Sequence, residues 1–193
     1  MDNREKILSS ALQLFYEKGY DAVGIQEICQ KAGITKPTLY HYFGSKYGLL
    51  ETVLEYYFSD FLEQVTEATQ FHNSMEESLM LLASTIIDFA TGHYEEYMLL
   101  MALTYSAQNN EVYKAVSPYI SKLHNLIVDL FEQATHLLGN MNGRQKQFAV
   151  GFLGLINHYI LFLGYQDDED PRMEVSEERK RSLVHQFMHG IYS

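Results

Sequence analysis

Gly33-Ile34-Thr35-Lys36-Pro37-Thr38-Leu39-Tyr40-His41-Tyr42-Phe43-Gly44-Ser45-Lys46 is the stretch that decides the fold. The Thr35 hydroxyl can cap free backbone N–H groups, and Pro37 fixes a first turn where no N–H is needed, so a helix is expected to open here. Gly44 can take the left-handed conformation that ends a helix, and Ser45 can cap the next one. The result is a helix of barely two turns, too short to persist in water without neighbours. Leu39 and Phe43, four apart, give it one apolar stripe for docking. Lys36, Thr38, Tyr40, His41 and Tyr42 remain on the open side, with Pro37 in the first turn and Lys46 just beyond the end. A face of one lysine, small hydroxyls and phenols does nothing for a core. It has the chemistry of a surface that lies against phosphates and base edges, and these seven residues are the candidate DNA contacts.

Upstream, a first helix is expected from Asn3 to Lys18, with Ile7, Leu8, Ala11, Leu14 and Phe15 at helical spacing and Gly19 as its stop. Gly24 can cap a second helix whose inner face is Ile25, Ile28, Cys29 and Ala32, and Gly33 makes the turn. Two short helices joined by a tight turn over a longer bracing helix form a helix-turn-helix arrangement. Gly19-Tyr20, Ile25-x-x-Ile28, Ala32-Gly33-Ile34 and Thr38-Leu39-Tyr40-x-Tyr42-Phe43-x-Ser45-Lys46 together resemble the N-terminal domain of the TetR family of bacterial transcriptional regulators. Val23 departs from the pattern, standing where a Thr or Ser that touches a phosphate is common, and Cys29 stands where Ala is common.

The resemblance implies an all-α chain, with a three-helix helix-turn-helix domain at 1–46 and a helical ligand-binding and dimerisation domain at 47–193. It further implies a ligand-responsive regulator rather than an enzyme. Such a protein would repress by binding double-stranded operator DNA at a palindrome as a homodimer, and a small-molecule effector would release it.

The formal net charge of −11 looks wrong for a DNA binder, but its distribution matters more than its total. Residues 1–50 carry six Lys or Arg against five Asp or Glu, and the rest carry eight against twenty, so the halves stand at +1 and −12. A nearly neutral reading head implies that binding depends on dimerisation and on a few well-placed groups. The single cysteine excludes an internal disulfide and fits a reducing cytoplasm. The first residues, Met-Asp-Asn-Arg-Glu-Lys, lack the apolar core of a signal peptide. The apolar run from Phe148 to Tyr165 is interrupted by Asn157 and His158, and is expected to be a buried helix rather than a membrane span.

Beyond the head, a fourth helix is expected from Ser45 to about Gln70, a fifth from Met75 to Ala90 and a sixth from Tyr94 to Gln108. The sixth would place Tyr94, Tyr97, Met98, Met101, Ala102 and Tyr105 on one face. A short helix over 111–116 would precede a long one that starts at Ser117-Pro118, reaches Leu138 and ends at Gly139-Asn140. The eighth, from Arg144 to Tyr165, divides into two stripes: Phe148, Phe152, Leu155, Tyr159 and Phe162 on one, and Gly151, Gly154, His158, Leu161 and Tyr165 on the other. One stripe can face the core; the other, where two glycines allow close approach, asks for a partner. After an acidic loop at 166–175, Ser176 can cap a last helix with Leu183, Phe187 and Ile191 inward. These last two helices from two copies would make a four-helix bundle, with Gly151, Gly154, His158, Leu161, Leu183 and Phe187 as the dimerisation residues.

The chain has no phosphate-binding glycine loop, no His-Glu-x-x-His and no Gly-x-Ser-x-Gly, and nothing calls for a cofactor. His185 and His189 share a helix face, but no third ligand is evident beside them. Of the 26 Phe and Tyr residues, 19 follow residue 50, interspersed with Asp88, His93, Asn157 and His158. That mixture suits either a plain core or an adaptable apolar pocket, and the resemblance favours the pocket. The candidate lining is Phe61, Phe89, Tyr94, Tyr97, Met98, Met101, Tyr105, Phe131 and Phe162. The rival readings are a bundle enzyme, which would need Glu-x-x-His motifs that do not occur, and a structural DNA-binding protein without an effector.

Overall fold

The computed structural model describes residues 2–71, 74–139, 141–163 and 174–190. Among them are nine α-helices and no strand: α1 (Asn3–Lys18), α2 (Ile25–Ala32), α3 (Lys36–Phe43), α4 (Lys46–Ala68), α5 (Met75–Gly92), α6 (Tyr94–Thr104), α7 (Glu111–Gln133), α8 (Gln145–Leu163) and α9 (Glu177–His189). A single 3₁₀ turn, Ala134–His136, follows α7. The fold is therefore all-α, as expected. Residues 140, 165, 166–173 and 191, on which parts of the sequence reading fell, lie outside the described residues.

The chain forms two compact units, one of Met1–Asp60 with Glu95–Ile120, the other of Phe61–Tyr94 with Ser121–Ser193. In the first, α1 packs on α2 and α2 on α3. The helix ends follow from local chemistry. Asp2 and Glu5 form a reciprocal capping box at 2.8 and 3.0 Å, satisfying two donors that the first turn of α1 leaves free. Gly33 ends α2 in the left-handed region at φ 67°, where any other residue would be strained. The core holds Ile7, Leu8, Phe15, Ile28, Leu39, Leu49, Leu50, Val53 and Phe58, all essentially excluded from water. Each large side chain so buried contributes about 1.5–3 kcal/mol.

Three expectations need correction. The break at Ser117-Pro118 is absent, for α7 runs straight through Pro118. Proline removes the N–H that would reach the Lys114 carbonyl, and the Ser117 hydroxyl donates to that same oxygen at 3.4 Å instead. Next, α6 stops at Thr104 and buries Tyr97, Leu99, Leu100, Met101 and Leu103, so leucines share the inner face assigned to Tyr, Met and Ala102. Ala102 and Tyr105 are exposed, Tyr105 by 77%.

The third correction concerns the second unit, where α5 packs on both α8 and α9 and α8 packs on α9. The buried stripe of α8 is Ala149, Phe152, Ile156, Ile160 and Leu163, rotated from the expected one, and only Phe152 is common to both. Nor is α8 a buried helix. Val150 and Phe162 are more than half exposed, and among the described residues α8 is the one helix long and apolar enough to cross a membrane. On α9, Ser176 accepts from the Arg179 N–H at 3.3 Å, capping the helix as expected. Its buried residues are Lys180 and Val184, with Leu183 and Phe187 half-buried. Lys180, 2% exposed, reaches Asp88 Oδ1 at 2.7 Å and Glu177 Oε1 at 2.8 Å. Burial works against its charge, but those two hydrogen bonds and carboxylates prevail and hold its pKa above the ordinary lysine value.

Candidate nucleic-acid interface

The two-turn helix α3 is held at both ends and along one side. The Thr38 N–H donates to Thr35 Oγ1 at 3.4 Å, and the two threonine hydroxyls lie 2.9 Å apart. Gly44 closes the other end at φ 70°. Leu39 and Phe43 are buried, which turns the remaining side chains outward. Lys36, Pro37 and His41 are exposed, Thr38 is half-buried, and Tyr40 and Tyr42 show 47% and 45% of their surface. His41 stands edge-on to Tyr42 with ring centroids 5.6 Å apart. Lys36 Nζ is 3.5 Å from Gln26 Oε1 on α2. The arrangement presents one cation, two hydroxyls, an imidazole and two phenols on a rigid convex face, a set able to donate to phosphates and to base edges.

Lys46 stands apart from that face. Its ammonium lies over the Tyr20 ring, 4.0 Å from the centroid. Burial lowers its pKa, and the Asp21 and Glu111 carboxylates offset part of that shift. Tyr20 is buried, and its hydroxyl donates to Glu111 Oε1 at 2.7 Å. Burial first, and that carboxylate second, push its phenol well above the ordinary tyrosine value. Val23, at the position where a hydroxyl was missed, is buried and takes a core place.

Gly48 passed unnoticed in the sequence. A Cβ built on it would come well inside 3.0 Å of the Phe43 carbonyl oxygen, so the α3–α4 junction closes only around a glycine. A glycine three residues after a Ser cap was the available signal. The Tyr20–Glu111 bond spans 91 positions and left no local signal at all.

The candidate effector residues divide between the units. In the second, Phe61 stacks on Phe89 at 4.3 Å and Phe89 on His93 at 4.9 Å, while Phe131 lies against Phe148 and Phe187 at 6.0 and 6.2 Å. Tyr94 is half-buried there, and Phe162 is 52% exposed beside an open pocket of about 180 Å³. In the first unit Tyr97 and Met101 are buried, Met98 is half-buried and Tyr105 points to solvent. Of the candidate dimer residues, Gly151, Gly154 and His158 are exposed, and Leu161 and Leu183 half-buried. Phe187 instead turns towards its own chain, 5.1 Å from Phe152. The His185 and His189 rings lie 4.5 Å apart, and no cluster of three metal-binding side chains occurs among the described residues.

A short exposed helix docked on a helical pair defines a helix-turn-helix DNA-binding protein. The family model described as bacterial regulatory proteins, tetR family, matches residues 7–53. The HTH-type transcriptional regulator YvdT of Bacillus subtilis (strain 168), itself uncharacterized, is 30% identical over 192 residues, spanning 93% of this chain and 94% of that one. The chain belongs to the TetR family of transcriptional regulators. Its fold is shared with FadR from Bacillus subtilis, solved in complex with stearoyl-CoA (TM-score 0.77, 17% identity, 97% of this chain and 99% of that one). It is also shared with AibR, solved with isovaleryl coenzyme A and operator DNA (TM-score 0.74, 22% identity, 96% and 97%).

Proposed function

We propose that the protein is a repressor that binds a palindromic operator as a homodimer and lets go of it when a small molecule binds. The observation that carries the reading is the open face of α3, where Lys36, Pro37, Thr38, Tyr40, His41 and Tyr42 stand away from the core while only Leu39 and Phe43 enter it. Lys36 and Thr38 address base edges, while Tyr42 and Lys46 address phosphates. Residues 1–46 are the reading head and 47–193 the effector and dimerisation part. The dimer is supported by the open side of α8, where Gly151, Gly154 and His158 are uncovered. No atom lies within 4 Å of a Cβ built on Gly154, so nothing in the same chain demands a glycine there. A second α8 would.

Acyl-CoA thioesters are the effector class to try first, because FadR and AibR were solved with members of it. Residues 51–193 carry twenty acids against eight bases. Affinity should therefore come from the acyl chain on the aromatic side chains around Phe61, Phe89 and Phe131, more than from the phosphates. The test is selection of a duplex from a random pool, then its displacement by acyl-CoAs of graded length. Lys36→Ala should relax preference at one base position at a cost of about 1–3 kcal/mol. A chain that selects no sequence, or that loses random and selected DNA equally with Lys36→Ala, refutes the assignment of α3.

A further inference from the structure

In its present place Lys46 is committed to the protein. Its ammonium rests 4.0 Å from the Tyr20 centroid, the Tyr20 hydroxyl donates to Glu111 Oε1 at 2.7 Å, and Asn110 Nδ2 donates to Asp21 Oδ2 at 3.2 Å. Three separate stretches meet here: the start of the α1–α2 connection, the first residue of α4 and the turn that opens α7. Tyr20 is 4% exposed, so its ring is a fixed platform, whereas the Asp21 and Glu111 side chains stand in solvent. A ring face and two nearby carboxylates make a seat for a cation. The same two carboxylates repel a phosphate. A lysine that sits here in the free protein and meets a phosphate in the complex has two competing anionic partners.

We propose that Tyr20 and Glu111 act as a brake on DNA binding, holding Lys46 in the free protein so that operator phosphate must win it from them. The turn at Asn110–Glu111 then sets the affinity of the reading head through one cation, and anything that draws Glu111 away from Tyr20 releases the brake. The inference rests on the reading of α3 and the start of α4 as the DNA face. It makes Glu111 a positioning residue, which acts through Lys46 and touches no DNA itself.

Glu111→Gln separates this role from a structural one, because glutamine still accepts from the Tyr20 hydroxyl and only the charge is lost. Wild type, Glu111→Gln, Lys46→Met and the double variant are titrated by fluorescence anisotropy, at several salt concentrations, on a 30-base-pair duplex that the wild type has selected from a random pool. Glu111→Gln should tighten binding about three- to five-fold, the scale of one partly exposed charge pair, because the Tyr20 ring stays in place. Lys46→Met should weaken it and reduce the salt slope by about one unit. In the Lys46→Met background, Glu111→Gln should change affinity by less than about two-fold. Tyr20→Phe, which keeps the ring and frees Glu111, should tighten binding in the same direction, and thermal melts verify that each variant folds. No tightening by Glu111→Gln overturns the brake. Equal tightening in both backgrounds overturns it too, since that is general loss of negative charge. In either case the weakening by Lys46→Met still stands for the DNA reading. An unchanged affinity and slope in Lys46→Met removes Lys46 from the DNA face and takes the brake with it.

Discussion

Replacing Gly48 with alanine sets two effects of known size against each other. Gly48 is the third residue of α4; its N–H donates to Ser45 Oγ at 2.9 Å, and the Ser45 N–H donates to the Phe43 carbonyl at 2.7 Å. That carbonyl is thereby folded back over the start of α4. An added Cβ would fall well inside 3.0 Å of its oxygen, a distance real Cβ atoms essentially never show, with the Phe43 carbonyl carbon at 3.4 Å and Ser45 Oγ at 3.5 Å. Helix propensity alone favours alanine by roughly 0.5–1 kcal/mol. Forcing a carbon into closed space costs about 1–3 kcal/mol, towards the upper end when the obstacle is backbone that cannot rotate aside. The clash wins, and a net loss of about 2 kcal/mol lowers Tm by roughly 4–8 °C in a chain of this length. The junction that must open is the one that aims α3, so affinity for the selected duplex should fall even at temperatures where the variant is fully folded. Circular-dichroism melts and anisotropy titrations measure the two losses separately. A variant that melts at or above the wild type would refute the reasoning, for propensity would then have prevailed over a junction with slack in it.

Gly154→Leu or His158→Asp should yield folded monomers by sedimentation that bind the duplex at least ~10²-fold more weakly, because the second head is lost; a dimer that survives both leaves α8 out of the interface. Burial, then the Glu96 carboxylate and Tyr56, push the Tyr57 phenol up to about 12, and Tyr20 and Tyr97 shift the same way. The folded chain keeps protons that the unfolded chain sheds near pH 10, so stability is intact below that and declines as pH rises towards 12; Tyr57→Phe should flatten the decline in Tm, and an identical slope would contradict the assignment. Asp88 and Glu177 are mostly in solvent, so Lys180→Met strands no buried charge and should cost less than about 1.5 kcal/mol, against about 2–5 for Lys180→Ala, which leaves a hole. Equal losses in urea unfolding would mean the ion pair, not the lysine stem, holds α9 to α5.

Where a helix end is written in adjacent residues, the sequence told it well. The Thr35 and Ser176 caps and the Gly19, Gly33 and Gly44 stops all stand at helix ends, because a cap is a bargain struck within four residues. Pro118 misled for the same reason in reverse: a local breaker was overruled by a serine one residue away and by the burial of Val112, Ala115 and Val116 in the preceding turns of the same helix. The face of α8 was harder still. A helix apolar on most sides offers two stripes a residue apart that fit equally, and only the neighbours α5 and α9 choose between them. Lys180 was invisible on principle, since no pattern rule puts a lysine on the inner face without knowing that Asp88 waits there.

The charge of the reading head ties these features together. Residues 1–50 contain six basic side chains, and four are occupied within the protein. Arg4 lies over Tyr56, Lys18 pairs with Glu27, Lys36 leans towards Gln26 and Lys46 sits on Tyr20. On the proposed reading, Lys36 trades a weak, exposed partner for a base edge, and Lys46 leaves a partly buried one for a phosphate. Few counterions are then released per head, so one head alone gains little from the electrostatics that bind most proteins to DNA. Two heads on one duplex recover the deficit, because the second binds at an effective concentration fixed by the first. The uncovered Gly151, Gly154 and His158 side of α8 is thus no accessory to the α3 face. On the proposed reading, a head this close to neutral holds an operator only when that face of α8 joins it to a second one.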